Sequence, residues 1–238
     1  MDSDRLPPQI RDILNRLASA LSHREPALRA RVDALRLSNP GVSDDELAQK
    51  LIKNARIRIA ATGAASGAAA IAPGLGTLLA LGAATSQALF ALEQETELVM
   101  SIAMVYGHEL ADSDHRVIEA LIVVGIAGGS VKLRENLLVA GGQRITVAAF
   151  RALPAAWAGH AGGHVLKRIF ARLAGSRAVS SLGRVAPLAV GMVVGAAFDW
   201  VTVSALGNAA IRYYGPGGPA ARAPRLPGED GTHVKLGD

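Results

Sequence analysis

The sequence predicts an all-α fold: a compact Ala/Gly-rich helical bundle with an apolar helical hairpin and a disordered C-terminal tail. Apolar residues recur at helical spacing along most of the chain, and no stretch shows the sustained period-two alternation of half-buried strands. Hydrophobic residues make up 50% of the 238 positions and charged residues only 19%. This composition excludes disorder for most of the chain, because disordered segments combine low hydrophobicity with high net charge.

The first 42 residues are predicted to form N-terminal amphipathic helices. Leucine and isoleucine recur at helical spacing from Leu6 to Leu21, with charged residues on the other side. Pro26 suits the first position of a second, shorter helix that continues through Leu35. A turn is expected at residues 38–41, because Pro40 sets its own φ and Gly41 permits a left-handed backbone.

A helical domain is predicted from residue 43 to residue 214. Ser43 and Glu46 have the spacing of a capping box, so a helix is expected to start there. Its expected buried face comprises Leu47, Leu51, Ile52 and Ala55. The helix runs into 34 residues without charge, Ile59 to Leu92, which Pro73 and Gly74 interrupt. Neither half reaches the ~20 apolar residues of a simple membrane span, so a re-entrant or buried hairpin fits the lengths better.

Helical spacing continues beyond the hairpin. A helix through Glu93 and Glu97 is expected to end at Gly107, and the next to begin at Asp112 or Ser113. The buried face of that next helix comprises Val117, Ile118, Leu121, Ile122 and Val124. Residues 133–150 are predicted to be amphipathic and helical, interrupted at Gly141–Gly142. From Gly215, four prolines and six glycines predict a disordered tail over residues 215–238.

The net charge of +5 conceals two opposite blocks. Residues 93–119 carry seven acids and one base, whereas residues 120–184 carry nine bases and one acid. Acidic and basic helices lying side by side would explain this pattern, and so would a basic surface that meets an anionic partner. Anionic lipid attracts basic segments by about 1 kcal/mol per Lys or Arg. Its expected contacts are the bases of a basic helical segment: Lys167, Arg168, Arg172 and Arg177.

Glycines four residues apart are candidates for close helix packing, either in a membrane or in water. Four such pairs occur, among them Gly63/Gly67 and Gly191/Gly195, and large apolar residues surround the last pair. Asp199 is the only charge in the 27 residues from Val185 to Ile211. An ionisable group there needs a partner, water or a proton. It is therefore predicted either to face solvent at a bend or to pair within the apolar block.

Signatures of catalytic and cofactor sites are absent from the sequence. The chain has no cysteine, which excludes thiolate metal sites and cysteine nucleophiles. No Gly-x-Ser-x-Gly elbow, phosphate-binding loop or His-Glu-x-x-His motif occurs. His160 and His164 have a metal-ligand spacing without an adjacent acid, and Glu93 and Glu97 fit a solvated helix face best. We therefore predict no catalytic residue, no metal site and no cofactor.

The order of these features resembles the EcsC family of bacterial proteins over about residues 45–214. The matching features are the Ala/Gly-rich block at 58–67, the break at Pro73, the run 102–107, the helix after Asp114, and residues 183–191 followed by Gly195 and a polar residue at 199. The resemblance implies an all-helical, membrane-associated protein. It supplies no catalytic residue that could be carried over to this chain.

The sequence thus predicts a non-enzymatic helical protein at the cytoplasmic face of the cytoplasmic membrane, peripheral or partly inserted. Its role would be lipid interaction or accessory to a membrane transporter. Membrane lipids are the expected partners, with a membrane protein or a second copy as further candidates; nucleic acid is disfavoured because only 4% of residues are aromatic. The alternative is a cytoplasmic helical lipid- or ligand-binding protein, or an enzyme, with an apolar cavity. Met1–Asp4 lacks the basic start of a signal peptide, so export is not expected.

Overall fold

A computed structural model of the chain describes residues 8–69, 78–108, 113–140, 143–151 and 188–223. Six helices and three short strands form, which confirms the predicted all-α class. In chain order the elements are α1 (Pro8–Leu37), α2 (Asp44–Ala69), α3 (Leu78–Val105), α4 (Ser113–Ala127), β1 (Lys132–Arg134), β2 (Leu137–Ala140), β3 (Gln143–Thr146), α5 (Val147–Arg151) and α6 (Leu188–Tyr214). Within these ranges, no helix combines the length and the hydrophobicity that crossing a membrane requires.

The N-terminal region is one continuous helix, so the predicted separate helix at Pro26 is wrong. Pro26 lies inside α1, which runs 30 residues. Its ring removes one backbone hydrogen bond. Leu17, Leu21, Leu28 and Val32 are all buried on either side of it, and α1 packs on α3 and α4. Because this apolar stripe continues across the proline, tertiary packing offsets the local penalty and α1 does not break.

The predicted start of α2 is confirmed. The Ser43 hydroxyl accepts a hydrogen bond from the Glu46 backbone N–H at 3.3 Å, and the Glu46 carboxylate accepts one from the Ser43 backbone N–H at 3.3 Å. Gly41 has a φ of 79°, as the predicted turn requires. The expected buried face of α2 is buried, as is that of α4. Gly107, with a φ of 75°, ends α3 where the sequence placed its C-cap.

Three long helices, α2, α3 and α6, form the centre of the fold. Tyr106 at the end of α3 donates a hydrogen bond to Asp45 at the start of α2, so these two helices are antiparallel. Arg56 contacts both Ser204 and Trp200, and an earlier turn of α2 meets Gly207, so α2 and α6 are antiparallel as well. The second half of α2 and the first halves of α3 and α6 therefore lie at the same end of the bundle.

Residues 132–146 form a small sheet, so the amphipathic helix predicted over 133–150 is wrong. The strand order is β1-β2-β3 and both pairings are antiparallel, with Arg134 opposite Leu137 and Ala140 opposite Gln143. Two residues separate the strands at each turn, the tightest common hairpin connection. Glu135, with a φ of 52°, makes the first turn. A Gly-Gly pair between two apolar runs is a hairpin signal, which the helical prediction treated as a mere interruption.

The first nine residues of the predicted disordered tail are folded. Residues 215–223 form turns, and Gly218, Pro219 and Ala220 are buried against the core. The Ala220 N–H donates to the carbonyl of Tyr213 at 3.1 Å, which folds this segment back onto the end of α6. The prediction of disorder is therefore wrong for residues 215–223, because buried backbone partners stabilise these turns. Residues 224–238 lie outside the described part of the chain.

Glycine allows close approach of α2 and α6, but at a position the spacing of glycines did not indicate. A Cβ atom at Gly207 would lie 2.3 Å from both Cγ1 and Cδ1 of Ile52. Both residues are buried. The side chain of Ile52 therefore occupies the space that any larger residue at position 207 would need.

We predict that Gly207→Ala destabilises the protein, although the same change in an exposed helix stabilises it by about 1 kcal/mol. Overpacking of this kind costs roughly 1–3 kcal/mol. Asn208→Ala, at the exposed neighbouring position of α6, is the matched control and should be neutral or slightly stabilising. Chemical denaturation measures the free energies of unfolding. If Gly207→Ala unfolds at the same denaturant concentration as the control, the two helices are not in close contact there.

Candidate functional site

The most enclosed polar group of the described residues is an ion pair between Glu119 of α4 and Arg151 of α5. The Arg151 Nε donates to Glu119 Oε1 at 2.8 Å, and Nη2 donates to Oε2 at 3.1 Å. Both residues are buried. A bidentate pair of this geometry is among the strong hydrogen-bonded contacts in proteins. Because both carboxylate oxygens already accept bonds in a buried setting, the arrangement acts as a clamp and offers no substrate access.

Two further segments of the chain complete this buried clamp. The Tyr213 hydroxyl in α6 donates to Glu119 Oε1 at 2.9 Å. The Arg151 Nη1 donates to the carbonyl of Ala220, in the turns after α6, at 3.4 Å. The clamp, defined by Glu119, Arg151, Tyr213 and Ala220, therefore joins α4, α5, α6 and the C-terminal turns.

The electrostatics of the clamp keep the Arg151 guanidinium charged and the Tyr213 hydroxyl neutral. Burial disfavours the charged guanidinium, but the Glu119 carboxylate outweighs this effect, so the pKa of Arg151 is raised. Burial and then the Glu119 charge raise the pKa of Tyr213 well above its usual value. The hydroxyl of Tyr213 therefore stays protonated and available as a donor.

The predicted solvated face at Glu93 and Glu97 is wrong, because Glu97 is buried. Arg24 of α1 contacts both carboxylates, at 3.4 Å to Glu93 and more closely to Glu97. The hydrogen bond that Arg24 donates to Glu97 is the main reason that the pKa of Arg24 is raised. Through Arg24, these two acids link α3 to α1. They therefore do not form a free carboxylate pair for acid–base chemistry.

His108 contacts the end of α6. His108 lies beside the end of α6, with its Nε2 3.0 Å from the carbonyl oxygen of Tyr214 and its ring against the Tyr214 ring. Within the described ranges, no group of three or more His, Asp or Glu side chains is arranged to hold a metal ion. The pair His160 and His164 lies outside those ranges.

A second notable group lies around the contact between Arg56 of α2 and Trp200 of α6. Ile57, Trp200 and Val201 are exposed large hydrophobic residues, at 57%, 51% and 65% of their surface. The Arg56 guanidinium carbon lies 4.8 Å from the centre of the Trp200 ring, a cation–π distance. The Arg56 Nη2 also donates to the Ser204 hydroxyl, which fixes its orientation. We call Arg56, Ile57, Trp200 and Val201 the aromatic–basic patch.

Basic residues surround the aromatic–basic patch. Lys53 and Arg58 are exposed on α2 close to it. Partial burial and, after it, the charge of Arg31 lower the pKa of Arg58. Three bases, Lys53, Arg56 and Arg58, thus lie within two turns of α2 at this level of the bundle, and Glu97 of α3 partly offsets the charge at Arg58.

Some of the sequence-predicted site residues lie on α2 and α6, and the others lie outside the described residues. Gly63 and Gly67 lie in the second half of α2, and Gly191, Gly195 and Asp199 lie in the first half of α6. These two halves lie at the same end of the bundle. Pro73 and the predicted lipid-contacting bases Lys167, Arg168, Arg172 and Arg177 lie outside the described residues.

Sequence reasoning missed both the clamp and the aromatic–basic patch. One signal for the clamp was present: Glu119 is the only charge in the apolar run from Val117 to Val124. The argument applied to Asp199, that such an acid needs a partner, holds equally for Glu119. Its partner Arg151 is 32 residues away, however, and no local pattern identifies it.

We predict that Arg151→Met costs about 3–5 kcal/mol of folding free energy, because it leaves the Glu119 carboxylate buried without its charge partner. The double variant Glu119→Gln/Arg151→Met should recover much of that loss. Arg29→Met, which removes a partly exposed pair with Glu25 one helical turn away, is the control and should cost at most about 0.5 kcal/mol. Additive losses in the double variant, measured by denaturant unfolding, would show that the two groups are not coupled.

We predict that alkaline pH destabilises the protein through Tyr213. Its folded pKa is raised, so its contribution is complete below about pH 10, where the unfolded residue titrates, and declines as pH rises further. The decline approaches about 1.4 kcal/mol per pH unit for one such group. Tyr213→Phe should be less stable at neutral pH but show a shallower alkaline decline. Unfolding free energies measured between about pH 8 and pH 11.5 test this, and an unchanged slope would contradict it.

Comparisons with known proteins add no relative of this chain. No family model, no curated protein and no solved structure matches it. The resemblance to the EcsC family therefore stays a prediction, and the function has to be inferred from the geometry described above.

Proposed function

We propose that this chain is a non-enzymatic helical protein that associates with the cytoplasmic face of the cytoplasmic membrane by inserting one apolar end of its bundle. The observation that carries the proposal is that three charge-poor helix segments lie at the same end of the bundle. These are the second half of α2, the first half of α3 and the first half of α6. The contacts that establish this arrangement lie in the well-packed part of the bundle.

Contacts between the helices establish that these three segments lie at the same end of the bundle. Asp45 of α2 meets Tyr106 of α3, which makes those helices antiparallel. The α6 residues Trp200 and Ser204 meet Arg56 of α2. At the opposite end, Gly215, directly after α6, approaches the Tyr106 ring. The α3 and α6 helices are therefore parallel, and both start at the end where α2 finishes.

The sequence of these three ends is almost free of charge. Residues 59–92 carry none, and residues 188–198 carry none before Asp199. Each unpaired charge placed in a hydrocarbon environment costs a few kcal/mol, so such segments are suited to lipid. The clamp and the two pairs that Arg24 makes lie outside these segments.

The lengths of the apolar ends match one leaflet of a bilayer. Residues 59–69 of α2 and 188–198 of α6 extend about 16 Å each, at 1.5 Å per residue. The hydrocarbon core of a bilayer is about 30 Å thick, so one leaflet is about 15 Å. Insertion into one leaflet would bury these ends without a helix crossing the membrane.

Two sequence features support the same proposal. The resemblance to the EcsC family implies membrane association, and the bases Lys167, Arg168, Arg172 and Arg177 form a segment suited to anionic headgroups. We propose membrane lipids as the partners. An accessory role beside a membrane transporter, or self-association within the membrane, would follow from such an anchor.

We predict that the chain sediments with membranes after a high-salt wash and is released by detergent. Leu79→Lys, in the charge-free half of α3, should reduce binding to lipid vesicles about tenfold or more, given a penalty of up to about 3 kcal/mol for a buried lysine. Leu37→Lys is the matched control, because Leu37 is 82% exposed at the other end of the bundle, and it should bind normally.

Circular dichroism should show that both lysine variants keep the helical content of the unaltered chain. A chain that stays in the supernatant throughout fractionation and does not bind vesicles would contradict the proposal. In that case a monodisperse protein that co-purifies with an apolar ligand would favour the alternative of a lipid carrier.

A further inference from the structure

We infer that the aromatic–basic patch is an interfacial anchor that sits at the headgroup level of an anionic bilayer and sets the depth of insertion. The inference rests on the proposed membrane association and adds a defined level and a lipid class to it. It assigns the exposed faces of Ile57, Trp200 and Val201 to the boundary between hydrocarbon and headgroups. It also assigns Lys53 and Arg58 to the lipid phosphates.

Exposed apolar side chains occur at this place. Among the residues whose burial the structure describes, four large hydrophobic residues are exposed, and three of them belong to the patch. The fourth, Leu37, ends α1 at the opposite end of the bundle, where Arg36 contacts Asp44. Chance scattering of exposed apolar residues needs no explanation, but these three all lie within one residue of the Arg56–Trp200 contact between α2 and α6.

The chemistry of the patch fits an interface better than either water or hydrocarbon. Tryptophan is enriched at membrane interfaces because its ring is apolar and its indole N–H is polar. Arg56 lies over the ring of Trp200 and donates to Ser204, so a cation is held directly beside the aromatic surface. This combination places apolar surface and positive charge at the same depth.

The charge around the patch selects the lipid. After Glu46, every charged residue of α2 is basic, at positions 50, 53, 56 and 58. Helix α6 carries no charge between Asp199 and Arg212. Of the three acids at this level of α3, Glu93 and Glu97 are engaged by Arg24, and Glu95 is half-buried. The surface of α2 and α6 is therefore positive, which complements anionic headgroups.

The position of the patch is continuous with the apolar helix ends. The charge-free half of α2 begins at Ile59, directly after Arg58, and the charge-free half of α6 ends at Phe198, directly before Asp199. The patch thus lies at the boundary on both helices. Asp199 is then placed at the level of the headgroups rather than deep in hydrocarbon, which accounts for an acid at the end of an apolar segment.

The depth of Trp200 can be measured by fluorescence, because the chain has only one other tryptophan, Trp157. The full chain carrying Trp157→Phe is bound to vesicles of phosphatidylcholine with phosphatidylglycerol, brominated either near the headgroup or near the methyl end of the acyl chains. We expect a blue shift of Trp200 emission on binding and stronger quenching by the shallow bromines. The triple variant Leu37→Trp/Trp157→Phe/Trp200→Phe is the control, and its emission should not be quenched.

The lipid class is tested with the same vesicles. Lys53→Gln and Arg58→Gln should each weaken binding to vesicles containing phosphatidylglycerol roughly fivefold, as expected for one surface charge. Binding to pure phosphatidylcholine should not change. Equal loss on both lipids would overturn the assignment of these bases to anionic headgroups.

The outcomes separate this inference from the proposed function. Failure of the protein to sediment with any vesicle would remove both. Sedimentation with unquenched, unshifted Trp200 emission would overturn the anchor while leaving membrane association intact. Stronger quenching by the deep bromines would overturn the interfacial level. A concentration-dependent blue shift without lipid would show that a second copy covers the patch, which would also overturn the inference.

Discussion

The fold depends on one buried ion pair, between Glu119 and Arg151, because it ties α5 and the C-terminal turns to the packed helices α4 and α6. The pair joins α4 to α5, and Tyr213 of α6 and the carbonyl of Ala220 each add one hydrogen bond to it. Burying two charges is costly unless every partner is present. The small sheet connects α4 to α5, whose Arg151 then meets α4, and it adds the buried side chain of Leu138 to the core.

The bundle has two chemically different ends. At one end, Arg36, Asp44, Tyr106 and His108 connect α1, α2, α3 and α6 through polar contacts. At the other end, three helices continue as segments almost without charge, beyond the aromatic–basic patch. This polarity follows from the antiparallel order of α2 and α3 and the parallel order of α3 and α6. It is the physical basis of the proposed anchoring.

The predictions that held were those that rest on short-range patterns. The capping box at Ser43, the turn at Gly41 and the apolar faces of α2 and α4 involve residues within one or two helical turns, so spacing alone identifies them. The predictions that failed depended on what packs against a segment. Pro26 did not break α1 because a buried stripe continues past it, and Glu97 is buried because Arg24 lies on another helix.

The sequence by itself determined the helical class, most helix starts, the absence of cysteine chemistry and the location of the charge-free segments. These properties are set by composition and by residues close together along the chain. Only the tertiary structure decided that Glu119 pairs with Arg151, that Gly207 receives Ile52, and that Arg56 meets Trp200. Partners such as Arg56 and Ser204 are 148 residues apart. Such contacts depend on which surfaces are brought together and desolvated, and no local spacing records that choice.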